Sequence, residues 1–309
     1  MEVHRLAVAG QEPAIARDLG GRVSGLWLPR SRFADVAALA TATLSLGPDA
    51  GSFYDLGWAQ SSTGQPRKAL ANYEHALHRY RKVGNRGGEA AALSGIGLVY
   101  NGLGDRPQAL AYFQEALSIR REVGDREGAA ATLNSIGLVY DGLEDWQQAL
   151  AYFQQALPIA REVGSRVGEG ATLNSIGLAY NGLGDRPRAL AYCQQALPIT
   201  REVGDRAGEA ATLNNIGLVH NGLGDRPQAL AYYQQALSIR REVGDRAGEA
   251  TTRYNIAMIH RAERNLDQAV GELEIVVDLD RQVGHPNLES DTTALEQVRQ
   301  ERARDRRGT

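Results

Sequence analysis

The residues of this chain that could do chemistry are a few histidines and one cysteine. His75 and His78 are three residues apart, the spacing of two metal ligands on one face of a helix. No third ligand accompanies them, so we interpret them as part of a solvated helix face. Cys193 is the only cysteine, which excludes an intramolecular disulfide and a cysteine metal cluster. It stands where sister segments have Phe113 and Phe153, so we predict an inert buried thiol.

The other candidates also favour packing over catalysis. His220 and His260 occupy a position that Tyr100, Tyr140 and Tyr180 hold in sister segments, which favours packing with a polar tip. The recurring Gly-Leu-Gly-Asp turns lack the lysine and the preceding strand of a phosphate-binding loop. Because no nucleophile, base or ligand set recurs, the sequence predicts a non-enzymatic protein without cofactor or metal.

The bulk composition excludes several classes of partner. The chain has 309 residues, a formal net charge of -3 and a pI near 6.1, so no strong field draws it to nucleic acid or to an anionic membrane. No apolar run of about 18 residues suggests a membrane span. The first 21 residues carry scattered charges and lack the apolar core of a signal peptide. We therefore predict a cytoplasmic protein with a protein or peptide partner.

A repeat with a period of about 40 residues organises the sequence. Asn134–Tyr140, Asn174–Tyr180 and Asn214–His220 are nearly identical segments at this spacing. Each unit contains two predicted helices. The first runs roughly from Arg126 to Gly142, because its apolar residues recur with helical spacing.

The second helix of each unit has clear start and stop signals. Asp105 is a natural N-cap, Pro107 fits the first turn, and Gln108 completes a capping box. The helix ends at a recurring glycine, found at Gly84, Gly124, Gly164, Gly204, Gly244 and Gly284. The next helix is capped at several units by an aspartate, namely Asp125, Asp205 and Asp245. Two such helices cannot bury their apolar faces alone, so neighbouring units must stack.

These motifs resemble the tetratricopeptide repeat. The pattern is Leu-x-x-Ile-Gly-x-x-Tyr, then Gly-Asp, then Ala-x-x-x-Phe-x-x-Ala-Leu. The long unit and the sequence Ala211–Val219 are similar to the kinesin light chain subclass. The resemblance implies an all-α solenoid, a right-handed superhelix of antiparallel helix hairpins. The last full unit departs from the pattern at Ala257, His260 and Arg264, which suggests an end unit.

The sequence predicts three segments. Residues 1–48 read as a degenerate pair of helices, residues 49–284 as six repeat units, and residues 285–309 as a capping helix whose end, from Arg304, frays. The recurring Arg-Glu-Val-Gly-Asp-Arg segment predicts a solvated stripe of weak ion pairs along one edge.

In tetratricopeptide arrays the first helix of each unit lines the inner concave wall, and the resemblance implies the same here. Residues that face away from Ile136 and Tyr140 would then line a peptide-binding groove. An amide can pair with both groups of a peptide backbone, and leucines add apolar contact. The alternative is that the amides bond across neighbouring repeats or cap helix ends. The predicted groove residues are Asn134, Asn174 and Asn214; Leu98, Leu138, Leu178 and Leu218; Asn101, Asp141, Asn181 and Asn221; and Tyr254.

We predict that the protein is a scaffold that binds a peptide or protein in this groove. A monomer is the favoured oligomeric state. An alternative is the sensor arm of a bacterial STAND-type signalling system, because similar arrays resemble the C-terminal parts of those ATPases. The carboxylate clamp of chaperone-binding repeats is disfavoured, since a leucine such as Leu98 follows the repeat glycine and the lysines are absent. Local binding of an anion by Arg253 and Arg261, near the C-terminal unit, stays an alternative.

Overall fold

The computed structural model describes residues 2–27 and 32–308, and every regular element in them is an α-helix. Met1, residues 28–31 and Thr309 lie outside the described residues, as do the parts of the 1–48 and 285–309 predictions that fall on them. The helices are α1 (Glu2–Ala9), α2 (Pro13–Trp27), α3 (Phe33–Leu44), α4 (Ala50–Ser62), α5 (Pro66–Lys82), α6 (Arg86–Gly102), α7 (Arg106–Glu122), α8 (Arg126–Gly142), α9 (Trp146–Glu162), α10 (Arg166–Gly182), α11 (Arg186–Glu202), α12 (Arg206–Gly222), α13 (Arg226–Val243), α14 (Arg246–Ala262), α15 (Leu266–Val283) and α16 (Leu288–Gly308).

The chain divides into two compact units, Met1–Val139 and Tyr140–Thr309. In the first unit, α4 packs on α5 and α6 on α7 as hairpins. In the second unit, the hairpins are α10–α11, α12–α13 and α14–α15. We call the first helix of each forty-residue repeat the A helix (α4, α6, α8, α10, α12, α14) and the second the B helix (α5, α7, α9, α11, α13, α15). This is the predicted all-α architecture of stacked hairpins.

Three helices precede the repeats, where the sequence suggested two. The additional helix, α1, packs on α2, and its buried His4 is hydrogen-bonded through Nε2 to Thr43 Oγ1 of α3 at 2.9 Å. Helix α3 in turn packs on α4. The N-terminal segment is therefore joined to the first hairpin by continuous packing.

The turns between helices follow the predicted cap chemistry. At the start of α12, Asp205 accepts a hydrogen bond from the backbone N–H of Gly208 at 2.9 Å, and at the start of α7 Asp105 accepts one from Gln108 at 3.2 Å. Gly204 has a φ of 69°, a left-handed conformation that glycine adopts without steric cost. The predicted aspartate caps and glycine stops are thus confirmed at these turns.

The core of a hairpin depends on a close approach between a glycine of the A helix and a large side chain of the B helix. A Cβ added to Gly217 would lie 2.7 Å from Tyr233 Cε1 and 3.2 Å from the carbonyl oxygen of Ala229. Gly97 meets Phe113, and Gly177 meets Cys193, in the same way. The glycine therefore sets the distance between the two helices.

Ion pairs join successive repeats along the edge of the solenoid. Glu209 of α12 accepts hydrogen bonds from Arg201 of the preceding hairpin at 2.8 Å and from Arg206 at 2.5 Å, and Arg206 also binds Glu242 within its own hairpin at 2.6 Å. Burial alone would raise the pKa of Glu209, but the bonds from the two arginines outweigh it and lower that pKa. The prediction of a solvated stripe is wrong for this glutamate, which is only 6% exposed. The same arrangement surrounds Glu89 and Glu169.

The C-terminal helix α16 covers the last hairpin. Leu295 and Val298 pack against Leu266 and Leu273 of α15. Helix α16 continues to Gly308, and Arg306 pairs with Asp267 at 2.7 Å. The fraying expected from Arg304 stays a prediction. No helix in residues 2–27 and 32–308 is both long enough and apolar enough to cross a membrane.

We predict that Gly217→Ala lowers the free energy of unfolding by about 1–3 kcal/mol, because the new methyl group overlaps the fully buried ring of Tyr233. Gly271→Ala is the matched control, since nothing lies within 4 Å of the added Cβ. That variant should instead gain about 0.5–1 kcal/mol from helix propensity. Chemical denaturation followed by circular dichroism measures both changes, and equal effects of the two variants would contradict the packing argument.

A second prediction concerns the carboxyl pair formed by Asp280 on α15 and Asp291 on α16. Burial, together with the neighbouring carboxyl group of Asp280, raises the pKa of Asp291 to about 6, whereas an unfolded aspartate titrates near about 3.9. Between about pH 4 and pH 6 the folded chain keeps a proton that the unfolded chain has lost, so stability falls as pH rises through this window.

Asp291→Asn should remove this dependence, which amounts to at most about 3 kcal/mol. The measurement is the free energy of unfolding of both proteins across the window, and the difference between them isolates this pair from other titrating groups. A constant difference at every pH would show that the prediction is wrong.

Candidate peptide-binding face

The A helices form the inner layer of the solenoid. In the first unit α4 packs on α6, and in the second unit α10 packs on α12 and α12 on α14. No comparable packing joins successive B helices within either described unit. Within each unit, side chains of the A helices that point away from the B helices therefore share one surface, which we call the inner face of that unit.

An apolar row follows the inner face at intervals of one repeat. In the first unit, Leu98 is 53% exposed and Leu138 is 38% exposed. In the second unit, Leu178 and Leu218 are half-buried, and Leu218 also packs against the hairpin core. Sequence reasoning missed two further members of this row, Trp58 and Met258. Their position in the forty-residue register, 40 residues before Leu98 and 40 after Leu218, was the signal that could have found them.

A second row consists of asparagines, and in the second unit these bind one another. Asn215 donates from Nδ2 to Asn174 Oδ1 at 3.0 Å, and Asn255 donates from Nδ2 to Asn214 Oδ1 at 3.2 Å. Thr252 also donates to Asn214 Oδ1, at 3.3 Å. The bonds link α10 to α12 and α12 to α14, as the alternative interpretation of these amides proposed.

This geometry corrects the predicted contact set. Asn214 is only 4% exposed and its carbonyl oxygen accepts two hydrogen bonds, so it cannot present its amide to a guest. Asn174 is half-buried and its Oδ1 is likewise occupied. Asn134 differs, because its Oδ1 is buried without a hydrogen-bond partner among the described residues. Tyr254 takes the register of Asn214 in the last repeat and packs into the core beside Val276 and Leu279.

A third row lies one turn further along each A helix and keeps its polar groups available. Asn101, Asp141, Asn181 and Asn221 are all half-buried. The three asparagine side chains make no hydrogen bond within the described parts of the chain. Asp141 Oδ1 is enclosed without a partner, and burial raises the pKa of this carboxyl to about 6. These four side chains can still accept or donate to a bound molecule.

The two arginines considered for anion capture are occupied. Arg253 is 6% exposed and binds Glu249 and Glu272, while Arg261 binds Glu301 of α16. Each positive charge is therefore balanced inside the fold, which argues against a local anion site at this end.

The residues with catalytic chemistry lie in packed positions. Cys193 is fully buried against Gly177, and burial raises the pKa of its thiol to about 12, so the nucleophilic thiolate is suppressed. His220 stacks on Tyr232 with ring centroids 5.4 Å apart, in keeping with its predicted packing role. The His75 ring lies 5.0 Å from that of Phe53. Within the described residues no three His, Cys, Asp or Glu side chains converge as metal ligands would.

The fold and this face define an α-helical repeat protein built for contact along a surface. A family model described as the tetratricopeptide repeat matches residues 88–162, 169–242 and 209–282. These matches cover more than half of the sequence, and the chain belongs to the tetratricopeptide repeat family. A comparison with curated proteins finds no match of significant similarity.

Several solved structures share the fold at low sequence identity. The apo form of RapI superposes with a TM-score of 0.69 at 16% identity, over 86% of this chain and 98% of that one. A Rap protein complexed with competence and sporulation factor gives 0.65 at 15% identity, over 97% and 96%. The Rap conjugation gene regulator of plasmid pLS20, in complex with the Phr* peptide, gives 0.63 at 16% identity, over 93% and 96%. At these identities the likeness shows the fold alone.

We predict that Asn214→Ala lowers stability by about 1–3 kcal/mol, because Asn255 and Thr252 lose their buried acceptor. Asn221→Ala, in the same helix, is the control and should leave stability within about 0.5 kcal/mol of the wild type, since its side chain bonds to nothing in the fold. Thermal and chemical unfolding measure both. If Asn214→Ala left the stability unchanged, the hydrogen bonds to this amide would not stabilise the packing of neighbouring A helices.

Proposed function

We propose that this chain is a non-catalytic binding protein that holds an extended peptide, or an extended segment of a protein, against the inner face of its A helices. The observation that carries the proposal is the pairing of two rows in one register. Exposed apolar side chains such as Leu98 and Leu138 run beside half-buried amides that have unused hydrogen-bonding groups. An extended chain needs both kinds of contact, since its side chains bury apolar area and its backbone requires partners.

The magnitudes fit several repeats acting together. Covering one half-exposed leucine contributes roughly 1 kcal/mol, and each hydrogen bond from the Asn101 row about 0.5–1.5 kcal/mol. Micromolar binding requires about 8 kcal/mol after the cost of ordering the guest. One repeat is therefore too weak, and a guest must contact several repeats.

Two further observations support a peptide-like guest. A protein of similar fold is solved in complex with the Phr* peptide, although at 16% identity its partner is not transferred to this chain. The net charge of -3 gives no attraction to nucleic acid.

We place the protein in the cytoplasm as a monomer. The alternative of a STAND-type sensor arm has no observation in its favour within residues 2–27 and 32–308.

The test replaces inner-face leucines by glutamine, a good helix former of similar size. Leu98→Gln with Leu138→Gln should reduce guest binding at least about tenfold, because two apolar contacts are lost. The matched control is Leu103→Gln with Leu143→Gln, since these residues are 50% and 48% exposed but lie in turns between helices. Guests captured from the source cell by the wild type are identified by mass spectrometry and titrated against both variants.

Light scattering on the free chain first checks the monomer mass of 33.4 kDa. Guests that bind the Leu98/Leu138 variant as tightly as the wild type would refute the inner face as the binding surface. Loss of binding in the turn control alone would move the site to the edge of the solenoid.

A further inference from the structure

The third polar row of the inner face carries one charge that has no hydrogen-bond or ion-pair partner among the described residues. In the second unit this row consists of Asp141, Asn181, Asn221 and Arg261. The positive charge of Arg261 is neutralised by Glu301 of α16. Asp141 has no such partner, since its Oδ1 is enclosed without a hydrogen bond and burial is what raises its pKa.

The neighbouring rows of this unit add no charge of their own. The apolar row contributes Leu178, Leu218 and Met258, and the asparagine row ends at Tyr254. Besides the carboxylate of Asp141, the only charged member of the three rows in this unit is Arg261, which is paired with Glu301.

The turn that follows Asp141 also lacks the cation of its sister turns. The segment Asn181–Arg186 has an arginine at the first position of its B helix, and so has Asn221–Arg226. In the segment Asp141–Trp146 that position is Trp146, which packs over Gly182. Trp146 thus packs on the next repeat, as Arg186 does beside Gly222, and it adds no charge next to Asn181.

Replacement of asparagine by aspartate is costly here in the free protein. The two side chains have nearly the same shape, but a half-buried carboxylate without a partner pays a desolvation penalty that an amide does not. A cation from outside the fold would offset that penalty, whereas an anion would increase it.

We infer that Asp141 sets the charge preference of the inner face, selecting a guest segment with a lysine or arginine side chain at the position that reaches the end of α8. This inference rests on the proposed function. The carboxylate accepts a charge-assisted hydrogen bond from the guest cation, while Leu178, Leu218 and Met258 of the apolar row contact apolar side chains of the guest. A partner with an acidic residue at that position is rejected by like charge.

The spacing of the A helices also predicts how far the preferred cation shifts along the guest when the carboxylate is moved to another A helix. Packed helices lie about 8–10 Å apart, and an extended chain advances about 3.3 Å per residue, so one repeat corresponds to about three guest residues. A carboxylate on α10 in place of α8 should displace the preferred cation by that interval along the guest.

The probe is a displayed library of random twelve-residue peptides, selected separately on three proteins. The wild type should enrich peptides with Lys or Arg at one fixed distance from an apolar motif. Asp141→Asn should lose that enrichment, and Asp141→Asn with Asn181→Asp should restore it about three residues away. Asp141→Asn carries the residue found in the sister repeats, so its unfolding midpoint should equal or exceed that of the wild type.

Affinities of the selected peptides complete the test. A synthetic peptide with Lys replaced by norleucine should bind the wild type about 10–100-fold more weakly and Asp141→Asn about equally well. If the selected peptides bind Asp141→Asn as well as the wild type yet lose affinity when Leu178 and Leu218 are changed to glutamine, the role of Asp141 is overturned and the inner face remains the site. Peptides that need neither Asp141 nor these leucines, or the absence of any selected binder, would overturn the proposed function and this inference together.

Discussion

The close contact between an A-helix glycine and a B-helix side chain is the constraint on which the rest of this solenoid depends. Where Gly217 meets the Tyr233 ring, the A helix is fixed both in distance and in rotation about its axis. Because successive residues of a helix point about 100° apart, that rotation determines which residues face the neighbouring A helix and which face outward. Leu218, directly after the glycine, is turned to the inner face as a result, and the same holds for Leu98 after Gly97. The candidate binding surface is thus a consequence of hairpin packing.

Local chemistry made most of the fold predictable from the sequence. The Asp205 cap and the Gly204 stop involve residues that are neighbours in the chain, so one repeat contains all the information needed to identify them. The forty-residue period then fixed the order of the hairpins. Helix α1 escaped prediction because it is only eight residues long, and its buried His4 is held by a distant partner, Thr43.

The binding surface was less predictable, because it depends on which residue stands opposite in the next repeat. Asn174 and Asn214 look alike in sequence, but Asn214 faces both Asn255 and Thr252 and is buried by them. Glu209 is a comparable case, since alternating charges suggested a solvated edge and two arginines instead enclose the carboxylate. Helical spacing indicates the direction of a side chain but not the chemistry of the group it meets.

The ion pairs between hairpins have a consequence for how such a chain can change its length. Arg161 binds Glu169, and Arg201 binds Glu209, through the same atoms and across the same 8-residue interval from one hairpin to the next. If one whole repeat were deleted or duplicated by recombination between near-identical gene segments, the rejoined helices would find equivalent arginine and glutamate partners at the new junction. The length of the inner face can therefore vary in steps of one repeat without a new interface between repeats, and under the proposed function the length of a bound peptide would vary with it.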